Sequence, residues 1–563
     1  MSKTVEKFRR WMSGVRPNAW LAAMTVFAAV VFLTGLNARQ LWGADEPRIA
    51  GISTEMAVYN NWVQPRLNGE PFLETPPLFF WADAVSIKIF GQNNFAAKLP
   101  AALAAVAGVI AVFLLVRNMG FSGFTALISG SLLATSAQYW NNGRKCMTDI
   151  LLCAFIILAM MAFQRLAKAD TEGFRKQKKW FVLFTLFLAG ALLSKSLIGL
   201  AIPASALFFW LLIDNLYISK KFTPSNWIYL FAGSALAFIP LALWLWLLYC
   251  AHGYDAVFTV VWTNNIGRFM GSHAEHVEPF YFYLKKLPEQ LQPWTILLPF
   301  AMVFHFIQAK SARNRSSLFM LCWMLIPFIL LSIAAGKRQV YVLPLYAAEA
   351  IMIGTLLGPI IEGALKLPER INVKLIIRIV AAVLAGVICA SPLVLFVIAR
   401  ILRQPVFASD NLILCLLASA GLILFGLFGR YGRHPELIAA GIFFGLAINY
   451  VAIDAVIMKS RNSIYSMETV FSTAQKETDK GRQLYLYSPT ERVKGGAVFY
   501  FGRIIPVVND VEALDKLRSE QDSGKAIFLA DETATTALSN IKIIYESKVK
   551  KDDMVLFKFG VRK

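Results

Sequence analysis

Two adjacent carboxylates and a guanidinium, Asp45, Glu46 and Arg48, stand just beyond the first long apolar run of the chain. At a bilayer surface such a set can hold an anion through the arginine while an acid assists transfer chemistry. The plainer alternative is a solvated helix start, with Asp45 as N-cap and Pro47 in the first turn. Farther along, Glu74 precedes Thr75 and a Pro-Pro pair, where a surface carboxylate before a turn would look the same. His273, Glu275, His276 and Glu278 then crowd into one short stretch. His and Glu are natural ligands for a divalent, zinc-like cation, although this spacing matches no standard zinc motif. Asp149 follows Arg144 and Lys145 at the head of another apolar run. An ionisable group at membrane depth is costly, so it is paired or functional, and Arg144 or Lys145 is the expected partner. Lys195, Lys337 and Arg338 also fall at the ends of apolar runs, where snorkelling would place them equally well.

The elements that hold these residues are those of a membrane protein. Of 563 residues, 57% are hydrophobic and 16% charged, which excludes a conventional soluble enzyme. Lys and Arg number 56 against 35 Asp and Glu, a net charge of +21. The cations sit in short clusters between apolar runs, not along one basic face, which argues against nucleic acid as a partner. The six cysteines, Cys146, Cys153, Cys250, Cys322, Cys389 and Cys415, lie in or beside apolar runs and read as buried hydrophobes.

A helix needs roughly 17 to 25 apolar residues to cross a bilayer. Runs near residues 18–36, 97–116, 122–141, 146–167, 180–194, 197–216, 227–250, 291–308, 316–335, 339–360, 374–399, 411–429 and 436–456 give about 13 spans. The fifth and sixth are either one long helix or two short ones, because Ser194 and Lys195 interrupt a single stretch. The first span follows a basic start without a small-residue cleavage site, so it reads as retained and not as a removed signal peptide. Lys and Arg are denser in the segments that share a side with the N-terminus, which puts that side inside the cell. An odd number of spans then places the C-terminal segment outside.

Two outside loops are long, residues 37–96 and 251–290, and both are rich in aromatic residues, proline and charge. Residues 76–90 form an amphipathic stretch expected to lie as a helix at the interface. After about residue 457 the pattern becomes that of a soluble α/β domain. Strands are expected at residues 484–487, 497–501, 526–530, 541–545 and 555–559, with a helix at 511–518. The chain thus divides into a membrane-embedded part, residues 1–456, and a soluble part, residues 457–563. Every chemistry-bearing cluster falls on the outer face.

At these residues the sequence resembles a known family. The runs Asp45-Glu46-Pro47-Arg48, Asn61-Trp62-Val63-Gln64-Pro65, Gly69-Glu70-Pro71-Phe72 and Glu74-Thr75-Pro76-Pro77 are similar to the first periplasmic loop of bacterial polyprenyl-phosphate-sugar glycosyltransferases. These belong to the protein O-mannosyltransferase superfamily with the GT-C fold and include lipid A aminoarabinose transferases. The stretch from Trp262 through Asn265-Ile266-Gly267-Arg268-Phe269 to His276 and Pro279-Phe280-Tyr281 is similar as well, as is Gly336-Lys337 with Tyr341-Val342-Leu343-Pro344. The resemblance covers residues 18 to about 360, and beyond that follows hydropathy and position.

That resemblance implies a polytopic all-α membrane protein of the GT-C fold with about 13 transmembrane helices and a C-terminal periplasmic α/β domain. It implies Asp45, Asp149 and the neighbouring Glu46 as the acids at the reacting centre. Arg48 and Tyr341, with Lys337 or Arg338, would contact the polyprenyl phosphate, and Glu74 and His276 would hold a divalent metal ion. Family members commonly carry Lys after the glutamate where this chain has Thr75, which shifts the phosphate contact toward Arg48, Lys337 or Arg338. The implied activity is transfer of a sugar, such as 4-amino-4-deoxy-L-arabinose, from undecaprenyl phosphate to lipid A or another envelope acceptor. It would take place at the periplasmic face of the bacterial inner membrane, without a nucleotide. Two alternatives stay open: a protein O-glycosyltransferase using the same donor, and a transporter of lipid-linked sugar.

Overall fold

The structure is a computed structural model that describes residues 14–169, 174–267, 270, 277–365, 373–401, 435–459, 461–520, 525–535, 538, 541–549 and 552–559. It is mostly helical. Among the described residues, six helices are long and apolar enough to cross a membrane: Asn94–Asn118, Thr148–Lys168, Ile198–Ile218, Pro224–Asn265, Arg315–Ile333 and Ile438–Ala455. A pair bent by 110°, Phe282–Glu289 with Trp294–Ser311, would make a seventh. Three more apolar helices are shorter, Pro17–Leu33, Gly123–Ala134 and Leu345–Ile361, and a further apolar stretch, Ile379–Val394, lies within the longer helix Val373–Ile401. The chain is therefore a multi-pass membrane protein. Part of the difference from thirteen arises because an apolar run counts residues across breaks that end a helix. Residues 122–141, for example, hold Gly123–Ala134 and a separate short helix, Ala137–Asn142. The expected span at 411–429 lies outside the described residues. The interrupted stretch near Lys195 resolves into two helices, Phe174–Lys195 and Ile198–Ile213, parted at Ser196, whose φ of 55° no α-helix accommodates.

Side-chain caps start several of these helices. The Asn93 side-chain carbonyl accepts the Ala96 N–H at 2.9 Å, and the Ser122 hydroxyl accepts that of Thr125 at 2.9 Å. Small residues bring membrane helices close. A Cβ on Gly354 or Gly358 would collide with Ser129 or Thr125, so the Leu345–Ile361 and Gly123–Ala134 helices meet backbone to backbone.

The loop at residues 37–96 is folded. It holds the Asp45–Tyr59 helix, a two-stranded hairpin and the Leu78–Phe90 helix, which occupies the stretch expected to be helical. The hairpin strands are β1 (Arg66–Leu67) and β2 (Glu70–Pro71), joined by Asn68 and Gly69 at φ 55° and 87°. Asn-Gly is the pair that tolerates two left-handed residues in so tight a turn.

Beyond residue 461 the chain forms a five-stranded mixed sheet, consistent with the α/β pattern. Its strands are β3 (Gln483–Tyr487), β4 (Val507–Val508), β5 (Ala526–Asp531), β6 (Ile541–Val549) and β7 (Asp552–Phe559), in the order β4-β3-β5-β7-β6. β3 pairs in parallel with β4 and β5, while β7 is antiparallel to β5 and β6. One expectation fails here: residues 497–501 are not a strand but the end of a helix, Glu491–Phe501. Its Gly495-Gly496 pair is drawn against other elements by packing, and that contact outweighs the strand preference of the aromatic run. Gly51 and Gly495 face one another so closely that a Cβ on Gly495 would lie 2.5 Å from the Arg48 Cα. The Glu491–Phe501 helix is thereby seated on the Asp45–Tyr59 helix.

Candidate active site

The Asp45–Tyr59 helix begins with both acids in its first turn, where a helix N-terminus favours negative charge. Ala44 is its N-cap, so Asp45 is not spent on capping. Successive helical residues point about 100° apart, which sends Asp45 and Glu46 to different surroundings.

Asp45 faces a small, open cavity of about 60 Å³. Its walls come from five separate stretches: Asp45, Arg48 and Ile49; Phe72, Glu74, Thr75 and Phe80; Met147, Thr148 and Asp149; Lys195; and Arg338 with Tyr341. One Asp45 oxygen accepts from Arg48 Nη2 at 2.7 Å and the other from Arg338 Nη2 at 2.6 Å. Burial alone would raise the Asp45 carboxyl, but the two guanidinium groups outweigh it and hold the acid below its ordinary value. Asp149, at the head of the Thr148–Ala169 helix, is ion-paired with Lys195 at the end of Phe174–Lys195. The Lys195 ammonium also lies 4.7 Å from the Tyr341 ring centroid, within cation–π range. The Arg48 guanidinium rests over Phe72 at 5.4 Å and stands 3.9 Å from Glu74. A further acid reaches this arginine from the far end of the chain: Glu491 bonds Arg48 Nη1 at 2.7 Å.

This arrangement gives an anion three cations to bind and gives a transferred group an ionised acid beside them. Residues 20–252 match the dolichyl-phosphate-mannose-protein mannosyltransferase family. The undecaprenyl phosphate-alpha-4-amino-4-deoxy-L-arabinose arabinosyl transferase of Erwinia tasmaniensis is 28% identical over 410 residues, 72% of this chain and 70% of its own. A Proteus mirabilis enzyme of the same description is 30% identical over 331 residues, 58% of each chain. Among solved structures, ArnT from Cupriavidus metallidurans superposes with a TM-score of 0.71 bound to undecaprenyl phosphate and 0.73 in the apo state. The identities are 18% and 19%, and each superposition covers 96% of this chain and 98% of the other. The chain is a glycosyltransferase with this fold.

Most of the residues singled out in this glycosyltransferase by sequence meet at the cavity: Asp45, Arg48, Glu74, Asp149, Arg338 and Tyr341, together with Lys195. Two others are described and do not come to it. Glu46 points the other way, buried, and takes Arg39 in two bonds of 2.5 and 2.6 Å. It also accepts the N–H groups of Trp42 at 2.8 Å and Cys146 at 3.0 Å. Lys337 is buried and donates to the carbonyls of Glu278 at 2.7 Å and Ala334 at 2.5 Å. His276, with His273 and Glu275, lies outside the described residues.

The pairing expected of Asp149 is corrected as well. Arg144 is ion-paired with Asp454 and donates to the carbonyls of Val31, Phe32 and Thr34 at 3.1, 3.0 and 2.7 Å. Lys195, whose charge snorkelling would have left in solvent, is instead the partner of Asp149. Among the described residues no three His, Cys, Asp or Glu side chains converge as a metal site. Glu74 has the Arg48 guanidinium for a neighbour, a cationic setting that does not suit a second cation. Glu491 carried no signal in the sequence, standing 443 positions from the arginine it meets.

Proposed function

We propose that this glycosyltransferase moves 4-amino-4-deoxy-L-arabinose, or a closely related sugar, from undecaprenyl phosphate to lipid A. The reaction is assigned to the periplasmic face of the bacterial inner membrane, with about thirteen crossings and the C-terminal α/β domain on that face. The observation that supports it is the cavity itself, where Arg48, Arg338 and Lys195 stand beside Asp45 and Asp149. Relatives with matching descriptions supply the donor and the sugar.

The chemistry follows from the charges. The bond between the sugar C1 and the carrier phosphate breaks, the acceptor oxygen bonds C1, and the carrier leaves as undecaprenyl phosphate. Arg48, Arg338 and Lys195 stabilise the charge that grows on the leaving phosphate in a site partly screened from water. Tyr341 lies against the Lys195 ammonium and keeps it over the cavity. A lipid A phosphate, with a second pKa of about 6, is already an anion at neutral pH and needs positioning more than deprotonation. Asp45, ionised and fixed between two arginines, then orients those cations. With a hydroxyl acceptor it would serve as the general base. A divalent cation held by Glu74 and His276 would have to compete with the Arg48 guanidinium beside Glu74; elemental analysis of the active wild type and of His276→Ala tests it, and a wild type without bound metal removes it. The transfer itself is not routed through it.

A protein hydroxyl as acceptor is the second reading, favoured by the mannosyltransferase family match over residues 20–252. Mass spectrometry of lipid A and of envelope proteins from cells with and without the gene separates the two. Loss of an aminoarabinose mass from lipid A supports the first, and an unchanged lipid A overturns it.

A further inference from the structure

The acid that reaches Arg48 from the far end of the chain has a property that the other acids at this site lack. Both terminal nitrogens of Arg48 are engaged by carboxylates, Nη2 by Asp45 and Nη1 by Glu491. A phosphate is best held by an arginine that can offer paired N–H groups; Arg48 Nε is buried with no hydrogen-bond partner among the described residues, and a carboxylate must yield for an Nη group to join it in such a pair. The side-chain exposures identify which. Asp149 is 4% exposed, Asp45 24% and Glu74 27%, whereas Glu491 is 54% exposed. Asp45 is additionally shared with Arg338. An ion pair as open as that of Glu491 is held weakly, because water competes for both partners.

The backbone beneath Glu491 is fixed. The Gly51 and Gly495 contact seats its helix on the Asp45–Tyr59 helix, so the side chain can swing away without moving the helix. Charge favours the exchange too, since three carboxylates and three cations line a cavity that an anion must enter, and Glu491 adds a fourth carboxylate on Arg48.

We propose that Glu491 is a displaceable counter-ion, which holds Arg48 Nη1 until the phosphate of the polyprenyl donor takes its place. The C-terminal segment thereby sets the phosphate affinity of the site. This inference rests on the polyprenyl-phosphate reading above. Full-length wild type, Glu491→Gln and Glu512→Gln, in detergent, are titrated with undecaprenyl phosphate and with undecaprenol at low and high salt. Glu512 is an exposed acid on the Val511–Glu520 helix and controls for net charge. The Glu491→Gln change should tighten undecaprenyl phosphate binding by up to about fivefold at low salt, with Glu491→Ala in agreement. The gain should shrink at high salt, where exposed pairs are screened, and undecaprenol binding should stay the same. Equal or weaker binding by E491Q, an equal gain for undecaprenol, or an equal gain in E512Q overturns the inference. If the wild type binds undecaprenyl phosphate no better than undecaprenol, the donor reading itself falls, whatever Glu491 does.

Discussion

Asp45 and Glu46 are consecutive acids with arginine partners, and they have opposite fates. Glu46 is sealed: two bonds to Arg39 and two backbone N–H groups use its oxygens, and it lies outside the cavity wall. Asp45 is open: its two arginines come from different parts of the chain and its carboxylate lines the cavity. The same ion-pair chemistry therefore builds an anchor on one side of a helix and a working surface on the other. What separates them is whether the lone pairs are all used and whether water and substrate can arrive.

The largest expected effect tests the sealed side. Removing one partner of a buried ion pair leaves the other uncompensated, at a cost of about 3–5 kcal/mol. Glu46→Ala should accordingly lose most folded protein from the membrane fraction, read by size-exclusion of the solubilised chain. Asp45→Asn should yield normal amounts. If both variants fold equally well, or equally badly, the contrast is broken.

On the open side, Asp45→Asn should lower transfer by about a hundredfold with a hydroxyl acceptor and by clearly less with a phosphate acceptor. Steady-state assays of each acceptor against the same donor would show it, and wild-type rates with both would remove Asp45 from the chemistry. A smaller effect distinguishes two neighbours. Arg338→Gln should raise the donor KM by about tenfold with little change in thermal stability. Lys337→Met should do the reverse, because that ammonium serves two backbone carbonyls away from the cavity.

The smallest effect is one of pH. Burial would raise both Asp45 and Glu46, but their arginines hold them below their usual values. The stability they provide is therefore complete at neutral pH and lost only as the pH falls through those lowered values. Asp83 has the opposite sign. It is buried in the Leu78–Phe90 helix, burial pushes its carboxyl well above the ordinary value, and the Ser53 and Cys146 side chains only partly oppose that. One of its oxygens has no hydrogen-bond partner among the described residues. Its ionisation thus weakens the fold as the pH rises from the ordinary carboxylate range toward the raised value. Asp83→Asn should add about 1 kcal/mol of stability at neutral pH and nothing below the carboxylate range, measured by thermal unfolding across pH.

Much of the open site was legible because charge is rare in this sequence. Against long apolar runs, Asp45, Arg48, Glu74, Asp149, Lys195 and Arg338 stood out singly, and their shared side of the membrane followed from the count of spans between them. Their partners were not legible. Asp149 has two cations within five residues and takes Lys195 instead, because helices Thr148–Ala169 and Phe174–Lys195 pack side by side. Arg144 finds Asp454 across 310 positions for the same kind of reason. Glu46 could have been set apart from Asp45 by helical phase, since Asp45, Arg48 and Ile49 stand at i, i+3 and i+4 on one face of the helix while Glu46 points about 100° away from Asp45. The helix at Glu491–Phe501 was hidden because its run of apolar residues suits strand or helix equally, and only a distant glycine decides.

The glycine-to-glycine seat between the two ends of the chain also bears on how small a working enzyme could be made. A chain cut after the last apolar helix would leave the flank of Asp45–Tyr59 bare at Gly51, without the neighbour that covers it. The carboxyl-terminal module is for that reason no removable accessory, and a minimal version of this transferase would have to retain it.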